Sequence, residues 1–132
     1  MLKKKITFKE FIKKENENET SFLMRFIPKN ESGLPINIWI DENNSLNNIY
    51  NFPPNIKFQN DYEDKITLNY IPISISKDPE ILISSKINIS DNDFSLLKQF
   101  IIRNEKILLK HNSKKIDTEK LIKKWISTKN SL

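Results

Sequence analysis

The alternation that decides the fold lies in residues 34–42, Leu34-Pro35-Ile36-Asn37-Ile38-Trp39-Ile40-Asp41-Glu42. Its isoleucines point to one side of an extended chain, whereas the asparagine, the tryptophan and the aspartate point to the other. Residues 56–59 repeat the pattern, because Ile56 and Phe58 alternate with polar side chains. The two segments therefore predict strands of a sheet with an apolar, buried face.

A short helix and another strand are predicted before this pair. Thr7 and Glu10 form a capping box, which predicts a helix over about residues 8–15. Residues 20–27 are rich in strand-forming side chains and end at Pro28, which predicts the first strand of the sheet.

Further alternation predicts the rest of the sheet. The additional short strands fall within residues 66–70, 73–75, 81–83 and 87–89. The simplest arrangement of all these runs is an antiparallel meander of about five or six strands.

The apolar spacing changes to a helical period near Ser90, which caps a helix with Asp93 three positions later. This helix is predicted to run to about His111, with a break possible at Asn104. A final short helix begins near residue 117 and buries Leu121, Ile122 and Trp125. The C-terminal part of the chain is therefore a helical pair.

The chain of 132 residues has the usual length of one domain. We expect a single α+β domain over residues 1–132, with a short N-terminal helix before the sheet and the helical pair after it. No apolar run approaches the eighteen residues of a membrane span, and charged residues interrupt the basic N-terminus before an export signal forms. The expected location is the cytoplasm, without a membrane partner.

The composition excludes several kinds of site. The chain has no cysteine and one histidine, which rules out disulfides, a structural zinc site and a Cys/His catalytic pair. A single glycine rules out Gly-rich phosphate loops. We expect His111 to be a solvated residue at a helix C-terminus, where cationic side chains are favoured.

The charge is unevenly distributed along the chain. Residues 1–14 and 98–132 carry net charges of +5 and +7, whereas residues 15–97 carry −7. If the terminal helices lie on one side of the sheet, the molecule has a basic and an acidic face. The chain lacks alanine and valine and uses lysine for almost all its basic residues, which is typical of an AT-rich coding sequence and weakens its basic charge as evidence for nucleic acid.

One acidic pattern allows a metal-dependent nuclease. Asp41 at a strand end, followed by Glu63 and Lys65, resembles the spacing of restriction-type nucleases, in which such residues hold a divalent cation and activate water. The alternative is a solvated acidic turn, which we favour because Glu63 falls in a predicted turn. We therefore expect neither catalytic nor metal-binding residues and no cofactor.

A second candidate is an aromatic platform on the polar face of the sheet. Lys57 would supply charge for single-stranded nucleic acid beside Trp39, Tyr50, Phe52, Tyr62 and Tyr70. The neighbouring carboxylates would repel phosphate. The alternative is that a helix covers Trp39 and makes this face a second core.

The helices predict a separate basic surface. Its lysines are Lys98, Lys106, Lys110, Lys114, Lys115, Lys120, Lys123 and Lys124. This surface either docks on RNA, DNA or an acidic protein patch, or is the solvated side of lysine-rich helices.

The segments 34–42, 56–62 and 73–79 together resemble small uncharacterised proteins of bacterial genomes, prophages and other mobile elements. The resemblance implies a single-domain, non-enzymatic protein, and by extension an inhibitor of host defence of the anti-CRISPR kind. We therefore expect a binding protein that engages a host protein or a ribonucleoprotein. Direct nucleic-acid binding is the alternative, and a nuclease is a remote one.

Overall fold

A computed structural model of the protein describes residues 5–17, 24–41, 52–113 and 115–124. These residues form an α+β structure around one antiparallel sheet. The strands are β1 (Met24–Ile27), β2 (Ile38–Asp41), β3 (Asn55–Gln59) and β4 (Tyr70–Ser74). The helices are α1 (Phe8–Glu17), α2 (Lys29–Ser32), α3 (Asp91–Arg103), α4 (Glu105–Asn112) and α5 (Thr118–Lys124).

The four strands are paired in chain order, β1-β2-β3-β4, as expected for a meander. Trp39 in β2 lies opposite Phe26 on one side and Lys57 on the other. Pro72 lies inside β4, opposite Lys57. A proline has no amide to donate to a ladder, and β4 at the end of the sheet order tolerates it for that reason.

Both faces of the sheet are buried. The isoleucine face of β2 and β3 packs against the C-terminal helices, and the Phe58 ring lies 5.9 Å from the Phe94 ring of α3. The opposite face carries Trp39 and Tyr70, and the Tyr70 ring lies 5.7 Å from the Phe11 ring of α1. The sheet is therefore the middle of three layers. The N-terminal and C-terminal helices cover different faces of the sheet. The predicted division into one basic and one acidic face required these helices to lie on the same side, and they do not.

The prediction of five or six strands is corrected to four among the described residues. Residues 66–69 belong to a loop, and only Tyr70 of that run is in a strand. The run at 81–83 contributes an isolated bridge from Ile81 to Ile73, and 87–89 contributes no strand. These runs are short, and their backbone is held by single hydrogen bonds such as that from the Leu82 amide to the Pro72 carbonyl.

The predicted helix starts are confirmed. Thr7 Oγ1 accepts a hydrogen bond from the Glu10 amide at 3.1 Å, and Ser90 Oγ accepts one from the Asp93 amide at 3.1 Å. The break at Asn104 is also confirmed, because this residue separates α3 from α4. The C-terminal region consequently has three described helices rather than two.

His111 is not solvated as predicted. Its side chain is buried, and its Nε2 lies 2.8 Å from Thr118 Oγ1 at the start of α5. The imidazole therefore joins the ends of two helices. Several other predictions lie outside the described residues, namely those on Tyr50, Lys114, Trp125 and residues 20–23.

Substitution of Ser90 tests the cap at the start of α3. Ser90→Ala removes the acceptor for the Asp93 amide and is expected to lower the free energy of unfolding by about 1 kcal/mol. Ser90→Thr keeps a hydroxyl and should lose much less. Urea unfolding measures both variants, and equal stability of Ser90→Ala and the original protein would contradict the cap.

Candidate functional site

The segment of Asp61 to Leu68, called here the 61–68 loop, connects the central strand β3 to the end strand β4. It contains three carboxylates and one lysine, and it also contains three large apolar side chains. The strands on either side fix its two ends. The polar residues at the end of β3 determine the course of the chain between them.

Gln59, the last residue of β3, is completely buried and organises the loop from inside. Its Nε2 donates to Asp61 Oδ1 at 2.7 Å, and also to the carbonyls of Glu63 at 2.9 Å and Lys65 at 3.2 Å. Its Oε1 accepts the Thr67 amide at 3.3 Å. One side chain thus holds four positions of the loop, which satisfies its own buried amide group.

Three further side chains complete this network. Thr67 Oγ1 donates to Asp61 Oδ2 at 2.8 Å, and this hydrogen bond joins the two ends of the loop. Asn37 Nδ2 donates to the carbonyls of Glu63 and Asp64 at 3.3 and 3.2 Å. Asn60 Nδ2 donates to the Lys86 carbonyl, and its Oδ1 accepts the Asn88 amide. The loop is therefore tied to the residue that precedes β2, and Asn60, which precedes the loop, is tied to the segment before α3.

Two contacts join the loop to neighbouring helices. Lys29 at the start of α2 donates to the Tyr62 carbonyl at 2.9 Å and to Asp64 Oδ1 at 2.8 Å. This hydrogen bond and the positive charge of Lys29 hold the pKa of the Asp64 carboxyl below its usual value. The Tyr62 hydroxyl donates to Asp93 Oδ2 at 2.6 Å and accepts the Ser90 amide at 2.8 Å.

The result is a loop with polar groups inside and apolar side chains outside. Ile66 is 58% exposed and Leu68 is 63% exposed, and Tyr62 is 47% exposed although its hydroxyl is bonded. The side chain of Thr67, between the two aliphatic residues, points inward. This orientation is the reverse of the predicted strand, in which Ile66 and Leu68 would have faced the core.

The loop carries exposed charges of both signs beside these apolar side chains, namely Glu63, Lys65 and Asp64, the last of which is paired with Lys29. Glu63 is exposed on the loop, and Asp91 is exposed on the first turn of α3, beside the Tyr62–Asp93 contact. Exposed apolar side chains on a loop that internal hydrogen bonds hold in place have the chemistry of a docking surface for another macromolecule.

Two predicted site residues are buried instead of exposed. Trp39 is 6% exposed, and Lys57 is buried beside it. Lys57 Nζ lies 3.0 and 2.9 Å from the two carboxylate oxygens of Asp41. Burial, together with the negative charges of Glu15 and Asp41, raises the pKa of the Tyr70 hydroxyl. This face is a second core that contains a buried ion pair, and the rings of Trp39 and Tyr70 are buried in it rather than exposed as a platform.

The nuclease constellation is not assembled. Asn37 contacts the Glu63 carbonyl, whereas Asp41 lies four residues further along the extended chain, about 13 Å at 3.3 Å per residue. Asp41 is paired with Lys57 instead of with the acidic loop. Among the residues that the structure describes, no group of three His, Cys, Asp or Glu side chains could hold a metal ion.

The predicted basic surface is partly brought together. Lys106, Lys110 and Lys115 line one groove at the end of α4. Lys98 lies apart from them, with its Nζ 5.0 Å from the centre of the Phe94 ring. Lys120, Lys123 and Lys124 are exposed on α5.

Sequence reasoning selected Tyr62 but missed Ile66 and Leu68 as surface residues. Their alternation is that of a strand, and nothing in it distinguishes an outward from an inward apolar face. The available signal was the set of side-chain amides at Asn37 and Gln59, within the predicted strands, and at Asn60 directly after one of them, because such groups need partners when they are buried.

Comparison of the chain with protein-family models, curated proteins and solved structures finds no match. No helix in the described ranges combines the length and the apolar character needed to cross a membrane. The site is therefore interpreted from its own geometry.

Proposed function

We propose that this chain is a non-enzymatic binding protein that docks onto a protein partner through the 61–68 loop. The observation that carries the proposal is the outward display of Ile66 and Leu68 by a loop whose polar groups are bonded internally. A partner would cover the two aliphatic side chains, and burial from water would supply much of the affinity.

The internal hydrogen bonds of the loop support this role. Gln59, Asn37 and Thr67 hold the backbone in one course before any partner arrives. Less conformational entropy is then lost on binding, because the loop does not have to be ordered by the partner.

The charge around the loop indicates the chemistry of the partner. Glu63 and Asp91 are exposed carboxylates, Asp64 is paired with Lys29, and Lys65 is an exposed cation of the loop. A complementary partner surface would be apolar at its centre and would carry charges opposite to Glu63, Lys65 and Asp91 at its edge. The resemblance to mobile-element proteins supports a host protein, free or within a ribonucleoprotein, and inhibition of a host defence complex would use such a contact.

The loop would form only part of the interface. A specific interface buries about 800 Å² on each partner, which is more than a few loop side chains provide. The first turn of α3, joined to the loop by the Tyr62 hydroxyl, lies next to it and would extend the contact.

Retention of a partner on the immobilised protein tests the proposal. A nuclease-treated bacterial lysate is passed over the protein and washed at about half-molar salt, where exposed ionic attraction is screened. We expect a retained host protein that Ile66→Ser/Leu68→Ser fails to retain, since serine removes the aliphatic side chains without adding charge.

The matched control is Ile102→Ser, which changes another exposed aliphatic residue, on α3. It should retain the partner as the original protein does. Equal retention by the original protein and the loop double variant would contradict the proposal, as would loss in both variants.

A further inference from the structure

A groove at the C-terminal end of α4 is distinct from the 61–68 loop. It is lined by Pro54, Lys106, Leu109, Lys110, Asn112, Ser113 and Lys115. Lys106 and Lys110 are one helical turn apart on the same side of α4. The Lys115 amide donates to the Lys110 carbonyl at 2.8 Å, so the chain folds back after the helix and brings a third lysine to the groove.

Among the described residues, no carboxylate lines the groove. The ion pairs of Arg25, Lys29 and Lys57 do not involve a groove lysine. The three ammonium groups therefore add their potentials in one place.

The helix end itself does not account for all three lysines. Cations near a helix C-terminus stabilise the carbonyls of the last turn. Here the Ser113 amide already donates to the Leu109 carbonyl. The Ser113 hydroxyl and the Lys115 amide both donate to the Lys110 carbonyl. Lys106 lies in the first turn of α4, away from that negative end.

We propose that this groove binds the phosphodiester backbone of nucleic acid. A duplex carries one phosphate charge per about 1.7 Å of its axis, which suits a row of lysines better than the scattered carboxylates of a protein surface. Leu109, which is partly exposed, and Pro54 provide apolar contact for sugars between the charges. Lysine acts as a point charge, so the binding is independent of sequence.

Three phosphate contacts give a defined salt dependence. The logarithm of the binding constant should fall with the logarithm of salt concentration with a slope of about −2 to −3. Between about 50 and 200 mM salt, affinity for a duplex should fall about 40-fold.

The experiment is a fluorescence anisotropy titration of a labelled short DNA duplex at several salt concentrations. It compares the original protein with Lys106→Gln/Lys110→Gln/Lys115→Gln and with a charge-matched control, Lys9→Gln/Lys13→Gln/Lys77→Gln. The control lysines are exposed residues outside the groove. Urea unfolding verifies that both variants fold.

We expect the groove variant to lose at least about tenfold in affinity at low salt and most of its salt slope, while the control keeps both. Equal losses in the two variants would overturn the proposal, because only net charge would then matter. Absence of binding by the original protein at low salt would also overturn it.

Two competitors at constant ionic strength distinguish other sources of negative charge. Inorganic phosphate and polyglutamate should displace the duplex poorly. Displacement by millimolar phosphate would make the groove a small-anion site, and displacement by polyglutamate as effective as unlabelled duplex would make it a site for acidic protein. Either result would overturn the nucleic-acid assignment. None of these measurements involves Ile66 or Leu68, so the outcome is independent of the proposed protein-binding loop.

Discussion

Lys57→Met is expected to lower the free energy of unfolding by about 3–5 kcal/mol, although methionine has a similar length and suits a buried site. The change removes the partner of the Asp41 carboxylate, whose side chain is only 2% exposed. An isolated buried carboxylate is costly because neither water nor a cation compensates its charge.

The sheet register explains why these charges meet. Lys57 lies opposite Trp39, and Asp41 is two residues further along β2 on the same face. The two side chains are therefore diagonal neighbours across two strands. Lys57 Nζ reaches both carboxylate oxygens, so a single substitution removes two charge-assisted hydrogen bonds.

A double variant separates the loss of the pair from damage to the packing. Asp41→Leu/Lys57→Met removes both charges, and we expect it to regain most of the stability lost by Lys57→Met alone. Urea unfolding measures all three proteins. A loss below about 1 kcal/mol for the single variant would mean that Asp41 remains hydrated, which would contradict the buried pair.

Gln59→Leu is expected to destabilise the protein by about 2–4 kcal/mol and to release the 61–68 loop. The leucine side chain has neither the donor for the Glu63 and Lys65 carbonyls nor the acceptor for the Thr67 amide. Those groups must then find water or remain unpaired. The cost arises from them rather than from the leucine, which a buried position would otherwise favour.

Hydrogen exchange locates this effect within the protein. The Thr67 amide should exchange much faster in Gln59→Leu, whereas amides paired between β2 and β3 should remain protected relative to global unfolding. Thr67→Ser is the matched control, because it keeps the hydroxyl that bonds Asp61. Unchanged exchange at Thr67 in Gln59→Leu would show that the glutamine does not hold the loop.

Much of the sheet could be predicted because its signals are local. The isoleucines of β2 and the Ile56 and Phe58 pair of β3 alternate along the chain, and their buried face lies where that alternation places it. The Thr7 and Ser90 caps are also local, since each hydroxyl bonds an amide three residues later.

The loop could not be predicted because its cause is not local. Ile66 and Leu68 have the spacing of a strand, yet Tyr70–Ser74 occupies the position beside β3. The residues before Tyr70–Ser74 are instead held by hydrogen bonds from the side chains of Gln59 and Asn37. Asn37 is distant from these residues in sequence. Alternation shows which side chains of a segment share a face. It does not show which face is buried when the polar side chains can form hydrogen bonds in the interior.

The burial of the sheet face that carries Trp39 could be predicted only in part. Trp39 and its polar neighbours were consistent either with a surface or with a covered face, and packing of α1 decides between them. The opposite charges of Asp41 and Lys57 at polar positions of two predicted strands were the available signal for a buried pair. His111 was misassigned because its neighbours in sequence are polar, whereas its neighbour in space is Thr118.

The dissociation constant of the retained partner shows whether Ile66 and Leu68 are displayed for a protein partner. Full burial of an aliphatic side chain contributes about 1.5–3 kcal/mol. Ile66 and Leu68 are 58% and 63% exposed, so roughly three-fifths of that remains to be gained on binding, and Ile66→Ser/Leu68→Ser should weaken binding at least about 20-fold. Ile102→Ser should leave the constant unchanged. A change below about threefold in the loop double variant would contradict the account.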